Sequence, residues 1–239
     1  MTPDMGTTTM PPPSLFTRTP DLSGPDEATF RKTLREYFVS TFDRYESLFK
    51  CLKEERAYYE KAIPLRHPLI FYLGHTATFF INKLLLARLV DGRLDEKLES
   101  TCAIGVDEMS WDDLDDRHYD WPSVPEVMAY RAKVRKTVLD IIDHAPLTLP
   151  VGWNHPWWTI VMGIEHERIH LETSSVLIRQ QKLEWIRSDA DWRPCAAIGK
   201  APVNELLPVS GGKVVLGRNH QSPIYGWDKE YGHHEAEIQ

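Results

Sequence analysis

The chain has 239 residues, with 28 Lys and Arg against 35 Asp and Glu, a formal charge of −7 and 42% hydrophobic residues. This acidic balance, without any Lys/Arg-rich run, excludes the electrostatic footprint of a nucleic-acid binder. No run approaches the ~18 consecutive apolar residues of a bilayer span and no basic-then-apolar leader is present, so the composition predicts a soluble, cytoplasmic protein with no membrane partner.

Residues 1–25 are rich in Thr and Pro and poor in large apolar side chains, which predicts a disordered arm. From Asp26 the apolar period is helical, with Phe30, Leu34, Phe38, Phe42, Tyr45, Leu48 and Leu52 at three- and four-residue spacing. A second helix is expected after His67-Pro68, running to about Val90 and apolar nearly all round, as in a central bundle helix. Asp91 to Pro122 then reads as a long acidic and aromatic crossover. Ser123-Val-Pro-Glu126 has capping-box spacing and opens a third helix with Val127, Tyr130, Val134, Val138, Ile141 and Ile142 inward. Asn154-His155-Pro156 opens a fourth, carried by Trp157, Ile160, Val161, Ile164 and Leu171 to about Gln181. The expected fold is therefore mainly α: an up-down four-helix bundle over 26–181 with one long crossover. A linker is expected over 182–204. Residues 205–239 read as a short truncated β segment, with Val209-Ser-Gly-Gly-Lys-Val-Val-Leu216 as a strand pair around its Gly-Gly turn. Cys51, Cys102 and Cys195 form no C-x-x-C pair and read as buried thiols of a reducing compartment.

The sharpest chemical motif is Ile164-Glu-His166-Glu-Arg-Ile-His170-Leu-Glu172. Residues four apart lie about 6 Å apart on one helical face, so His166 and His170 can share a metal ion. A third imidazole, His75, sits inside the most apolar helix beside Gly74. If the second and fourth helices face one another, three neutral ligands converge and leave coordination positions open, as catalytic sites require. Imidazole suits several transition metals, and spacing does not choose among them. The alternatives at these positions are hydrogen-bonded surface histidines, a satisfied core histidine at 75, and the H-E-x-x-H pattern of a zinc hydrolase with Glu167 as base. The metzincin extension is absent, its positions being Thr173 and Val176, and only Glu184 and Glu205 are on offer as a glutamate ligand.

Leu-Gly-His75 together with His166-x3-His170-x-Glu172 resembles the DinB-like bundle of the non-haem iron sulfoxide synthases. HPLIFYLGHTATFFINKL, GVDEMSWDDL, HYDWP and IEHERIHLETSSVLIRQ are similar to the 5-histidylcysteine sulfoxide synthases of ovothiol biosynthesis. The related hercynine sulfoxide synthases of ergothioneine biosynthesis share the histidines and are less similar in the acidic loop. The resemblance implies an iron cofactor, Fe(2+), held by His75, His166 and His170. Its substrates would be L-histidine, L-cysteine and O2, with the cysteine thiolate and the imidazole bound at the open iron positions. Three neutral ligands leave the metal its full +2 charge, which favours a bound thiolate. Glu172 belongs to the family motif but lies about 200° around the helix from His170, which makes it a structural or supporting residue.

In the acidic loop, Asp107, Glu108 and Asp112 are candidates to border the substrate entrance. The alternative for them, and for Asp113, Asp115 and Asp116, is a solvated face. Trp111, Trp121, Trp157, Trp158, Tyr225 and Trp227 read as packing residues. The family continues into a formylglycine-generating-enzyme-like domain, which 205–239 would begin and which supplies a catalytic tyrosine beyond Gln239, so no catalytic residue is assigned here. Two further expectations follow: a partner domain or second copy pairing with the β segment's unpaired edges, and a non-catalytic metal-binding or assembly module as the rival to an enzyme.

Overall fold

The computed structural model describes residues 18–104, 119–192, 199–201 and 203–238. Four long helices form the core: α1 (Glu27–Leu48), α3 (Leu69–Leu86), α5 (Val124–His144) and α6 (Trp158–Arg179), with short helices α2 (Arg56–Tyr59) and α4 (Glu96–Thr101) between them. Helix α3 packs on α6 and α5, and α1 packs on the same two, so α1 and α3 stand on one diagonal of the bundle. Helix α3 is long and apolar enough to cross a membrane by length and composition, and 78% of it is buried in the bundle. Its apolar surface forms the core.

The ends of these helices follow from local chemistry. The Asp26 carboxylate accepts the Thr29 N–H at 2.9 Å and its hydroxyl at 2.7 Å, which caps α1. At α5, Glu126 accepts the Ser123 N–H at 2.7 Å while Ser123 Oγ accepts from the Glu126 N–H at 3.4 Å, the reciprocal bonding of a capping box. Helix α3 ends before Val90 because Arg88 takes a left-handed conformation, φ 57°. The Leu89 N–H then donates to Leu84 O at 2.9 Å and the Arg88 N–H to Leu85 O at 3.0 Å, a Schellman closure built without glycine. Helix α1 stops at Leu48, short of the expected Leu52, in a 3-10 turn over Phe49–Cys51.

Other expectations are corrected. Asn154 does not cap α6: the N-cap is Trp157, whose N–H donates to His155 Nδ1 at 3.2 Å. The crossover holds α4, capped by Asp95. Buried Glu99 organises it by accepting from the Leu94 and Asp95 N–H groups at 2.9 and 3.1 Å and from the Tyr130 hydroxyl at 3.2 Å. After Lys182 the chain stays on the bundle, with the Lys53 N–H donating to Trp185 O at 2.7 Å and the Trp192 indole to Ser47 Oγ at 3.1 Å. Strand β1 (Gly212–Leu216) pairs antiparallel with β2 (His234–Ile238), not across the Gly-Gly turn. The alternation explains this choice. Val214 and Leu216 share a face with Ala236 and His234, and Lys213 meets Glu235 on the other, with 2.5 Å between Nζ and Oε2. Residues 18–25 lie against the bundle with Leu22 buried, its N–H donating to Pro223 O at 2.6 Å and its carbonyl accepting from Val151. Burial overrides composition there. Cys51 and Cys102 are buried thiols; Cys195 and Trp111 lie outside the described residues.

The polar centre of the bundle is Arg131 of α5, fully buried. Its Nη1 donates to Leu73 O at 3.0 Å and Thr76 Oγ1 at 2.8 Å on α3, its Nη2 to Glu167 at 2.7 Å on α6, and its Nε to Glu46 at 2.9 Å on α1. The guanidinium carbon lies 4.1 Å from the Phe42 ring centre. A buried charge survives only when so matched. Replacing Arg131 by Ala strands Glu167 and should cost about 3–5 kcal/mol, read from urea unfolding. Arg35→Ala, which removes the exposed Arg35–Asp143 pair, should leave the midpoint nearly unmoved.

Candidate metal centre

Helices α3 and α6 come close because their contact carries a glycine: a Cβ on Gly163 would sit 2.3 Å from the Phe80 ring. On the facing stretch, His75 of α3 meets His166 and His170 of α6. His75 Nε2 lies 3.3 Å from His166 Nε2, which lies 3.1 Å from His170 Nε2. The ligand atoms of all three fall within 4.8 Å of one another.

Each ring is oriented by a neighbour. His75 Nδ1 sits 2.8 Å from Cys102 O, and a carbonyl can only accept, so Nδ1 carries the proton and Nε2 keeps its lone pair. Phe71 stacks on His75 at 5.1 Å and Phe79 on His166 at 3.7 Å, while the Tyr72 ring lies 5.7 Å from that of His170. Gly74 makes the Cys102 contact available, because a Cβ there would sit 2.4 Å from Cys102 Sγ.

The electrostatics keep the two α6 rings neutral. Burial, then the neighbouring His75 and Arg66, push His170 down to about 3. Burial, then His170, His75 and Lys83, hold His166 well below the ordinary 6.5. Imidazole nitrogens whose lone pairs point at one another repel unless a proton or a metal cation lies between them. His166 Nδ1 is buried without a hydrogen-bond partner, so neither tautomer satisfies both nitrogens of this ring. The donor set fits a transition metal bound by three nitrogens with further positions open.

Residues 37–174 match the family described as the DinB superfamily. The chain belongs to that superfamily. Over 190 residues it is also 27% identical to "Ergothioneine biosynthesis protein 1" of Neurospora crassa, an alignment covering 72% of this chain and 21% of that protein. The chain thus spans about a fifth of the length of this curated relative.

Within this DinB bundle the remaining candidates fall in different places. Glu167 turns away from the cluster into the Arg131 ion pair at 2.7 Å, where burial raises its pKa against the pull of Arg131. It is not poised as the base of a zinc hydrolase. Glu172 is exposed, and its backbone carbonyl accepts from Ser175 Oγ at 2.7 Å. Glu165 accepts from the Tyr37 hydroxyl at 2.5 Å. Asp107, Glu108 and Asp112 lie outside the described residues. Trp157 and Trp158 are buried packing residues, Trp158 lying 4.8 Å from the ring of Tyr225. Pattern reading missed Arg131, whose signal was its place on the inward stripe between Val127 and Val134, and the Cys102 carbonyl, which has no side-chain signal.

Three outcomes are expected. His75→Ala combined with His166→Ala should abolish metal binding measured by elemental analysis after dialysis. Gly74→Ala, by driving Cys102 from His75, should weaken metal affinity about ten- to a hundredfold, and adding Cys102→Ala should recover most of it. Because unfolded His170 protonates near 6.5 and folded His170 near 3, the metal-free fold should lose stability as pH falls through that window. Acid unfolding followed by circular dichroism should show a smaller drop for His170→Gln.

Proposed function

We propose that this chain is the metal-holding part of a non-haem Fe(II) sulfoxide synthase that joins cysteine sulfur to the imidazole of histidine, the 5-histidylcysteine chemistry of ovothiol biosynthesis. The observation that carries this reading is the convergence of three imidazole Nε2 atoms from α3 and α6 on one point. The relative named for ergothioneine biosynthesis supports the broader class, since ergothioneine too is a sulfur-bearing imidazole amino acid. The ovothiol assignment rests on the sequence motifs, with hercynine as the competing imidazole substrate.

In the overall reaction a thiol S–H and an imidazole C–H are lost, a C–S and an S–O bond form, and the second oxygen atom of O2 leaves as water. Bound at the cluster, Fe(II) would supply open coordination positions and redox chemistry with dioxygen. His75, His166 and His170 would hold it without lowering its charge, which favours thiolate over thiol. Cys102 O fixes the His75 tautomer. Phe71 and Phe79 wall the cluster on the α3 side, excluding water and strengthening the local field.

The test is anaerobic Fe(II) reconstitution followed by oxygen consumption and product mass with cysteine plus histidine or hercynine. Iron uptake with thiol-dependent oxygen consumption favouring histidine is expected. Preference for hercynine would move the assignment to ergothioneine, and failure to bind iron would refute the reading. A non-catalytic assembly module is the second reading, favoured by the exposed Val214, Leu216 and Ile238 on one face of the β1–β2 hairpin. Iron bound without oxygen consumption, with a dimer in size-exclusion chromatography, would select it.

A further inference from the structure

One row of side chains on α3 leads out of the histidine cluster. His75, Phe79 and Lys83 follow one another at four-residue spacing, so they lie on a single helical face, one turn apart. At the first level His75 meets His166, their ring centres 5.0 Å apart. At the second the Phe79 ring lies flat on His166, 3.7 Å away with 9° between the planes. At the third the Lys83 ammonium stands over Phe79, 4.8 Å from its ring centre. His166 approaches Phe79 from the His75 side and Lys83 from the following turn, so one aromatic ring separates a positive charge from an imidazole of the metal centre.

A lysine in the last turn of a helix is favoured by the helix dipole wherever its side chain points. Three observations give this one a further role. Its half-buried ammonium is held on the Phe79 face by a cation–π contact, and among the described residues it forms no ion pair, whereas Arg131 is matched by two carboxylates. Phe79 and His166 are only 6% and 9% exposed, so the path from charge to cluster runs through apolar material in which Coulomb interactions are strong. The carboxylates on either side of His166 are held elsewhere, Glu165 by the Tyr37 hydroxyl at 2.5 Å and Glu167 by Arg131 at 2.7 Å. The lowered pKa of His166, caused first by burial and in part by Lys83, agrees with this placement.

We propose that Lys83 sets the redox balance of the metal held by His75, His166 and His170, its charge opposing the loss of an electron and keeping the ion in its lower oxidation state. This rests on the iron reading, because a metal with one accessible oxidation state would not respond. Oxidation of Fe(II) to Fe(III) passes one electron to an external acceptor and adds one positive charge to the cluster. A cation one ring away makes that added charge more costly, and three imidazoles bring no anion to offset it. Lys83 touches neither metal nor substrate; it is a positioning residue that acts through its charge. The consequence is a resting site that stays ferrous.

The test is the Fe(III)/Fe(II) midpoint potential of the full chain loaded with iron, measured by mediated redox titration without substrates at low salt. Lys83→Met keeps an apolar stem against Phe79 and removes the charge. At the potential where the unsubstituted chain holds equal amounts of the two forms, Lys83→Met should raise the Fe(III)/Fe(II) ratio about fivefold. Lys83→Arg should leave the ratio close to that of the unsubstituted chain, and Lys83→Glu should exceed the Met variant. Added salt should shrink these differences, because the ammonium is only half-buried. An unchanged potential in Lys83→Met and Lys83→Glu overturns the role of Lys83 and leaves the iron-site function standing. Equal shifts in the Met and Arg variants overturn it too, since packing on Phe79 would then be what matters. Failure of the unsubstituted chain to take up iron overturns the function reading and this one together.

Discussion

Everything at the centre of this bundle is built around the burial of one positive charge. Removing a guanidinium from water is costly unless its N–H groups find acceptors, and Arg131 finds them on α1, α3 and α6 at once. Its partners Thr76 and Glu167 are the residues next in sequence to His75 and His166. The ion pair therefore sets the register of α3 against α6 one position away from the imidazoles themselves. A one-residue step turns a helix by about 100°, so charge network and histidine cluster share two helices while facing apart. Ionic matching and neutral nitrogen chemistry are kept from interfering.

The cluster inverts the logic of that network. Around Arg131 every charge has a counter-charge, whereas around the imidazoles burial and two flanking cations disfavour protonation. Such surroundings spend folding stability to hold lone pairs ready. The crossover contributes as well: α4 leads into Cys102, whose carbonyl selects the His75 tautomer, and Glu99 holds that stretch in shape from beneath. A connection between helices thus becomes part of the site.

Much of this is legible in the sequence alone. Helical period, the Asp26 and Ser123–Glu126 caps, and the i, i+4 histidines each carry their message in side-chain type and spacing, which local physics enforces. What escaped was of two kinds. Arg131 occupies an inward position, yet a polarity pattern skips an arginine there because its cost is met only by tertiary partners. The Cys102 carbonyl, the left-handed Arg88 and the pairing of Gly212–Leu216 with residues some twenty positions downstream depend on backbone geometry or distant chain, which no local pattern encodes. The capping signal at Asn154 misled because His155 takes over the bonding at that corner.

The strand-like crossing at Leu22 has a kinetic consequence. Its carbonyl takes the amide of Val151 and its amide gives to Pro223, so three segments far apart in sequence meet in one ladder. Contacts of such separation form late, because loop closure must be completed before they repay it. The four helices can collapse first, and this ladder then fastens the N-terminal segment and the Pro223 stretch to a bundle already made. Amide exchange at Leu22 and Val151 would accordingly report that final docking step, not the stability of the helical core beneath it.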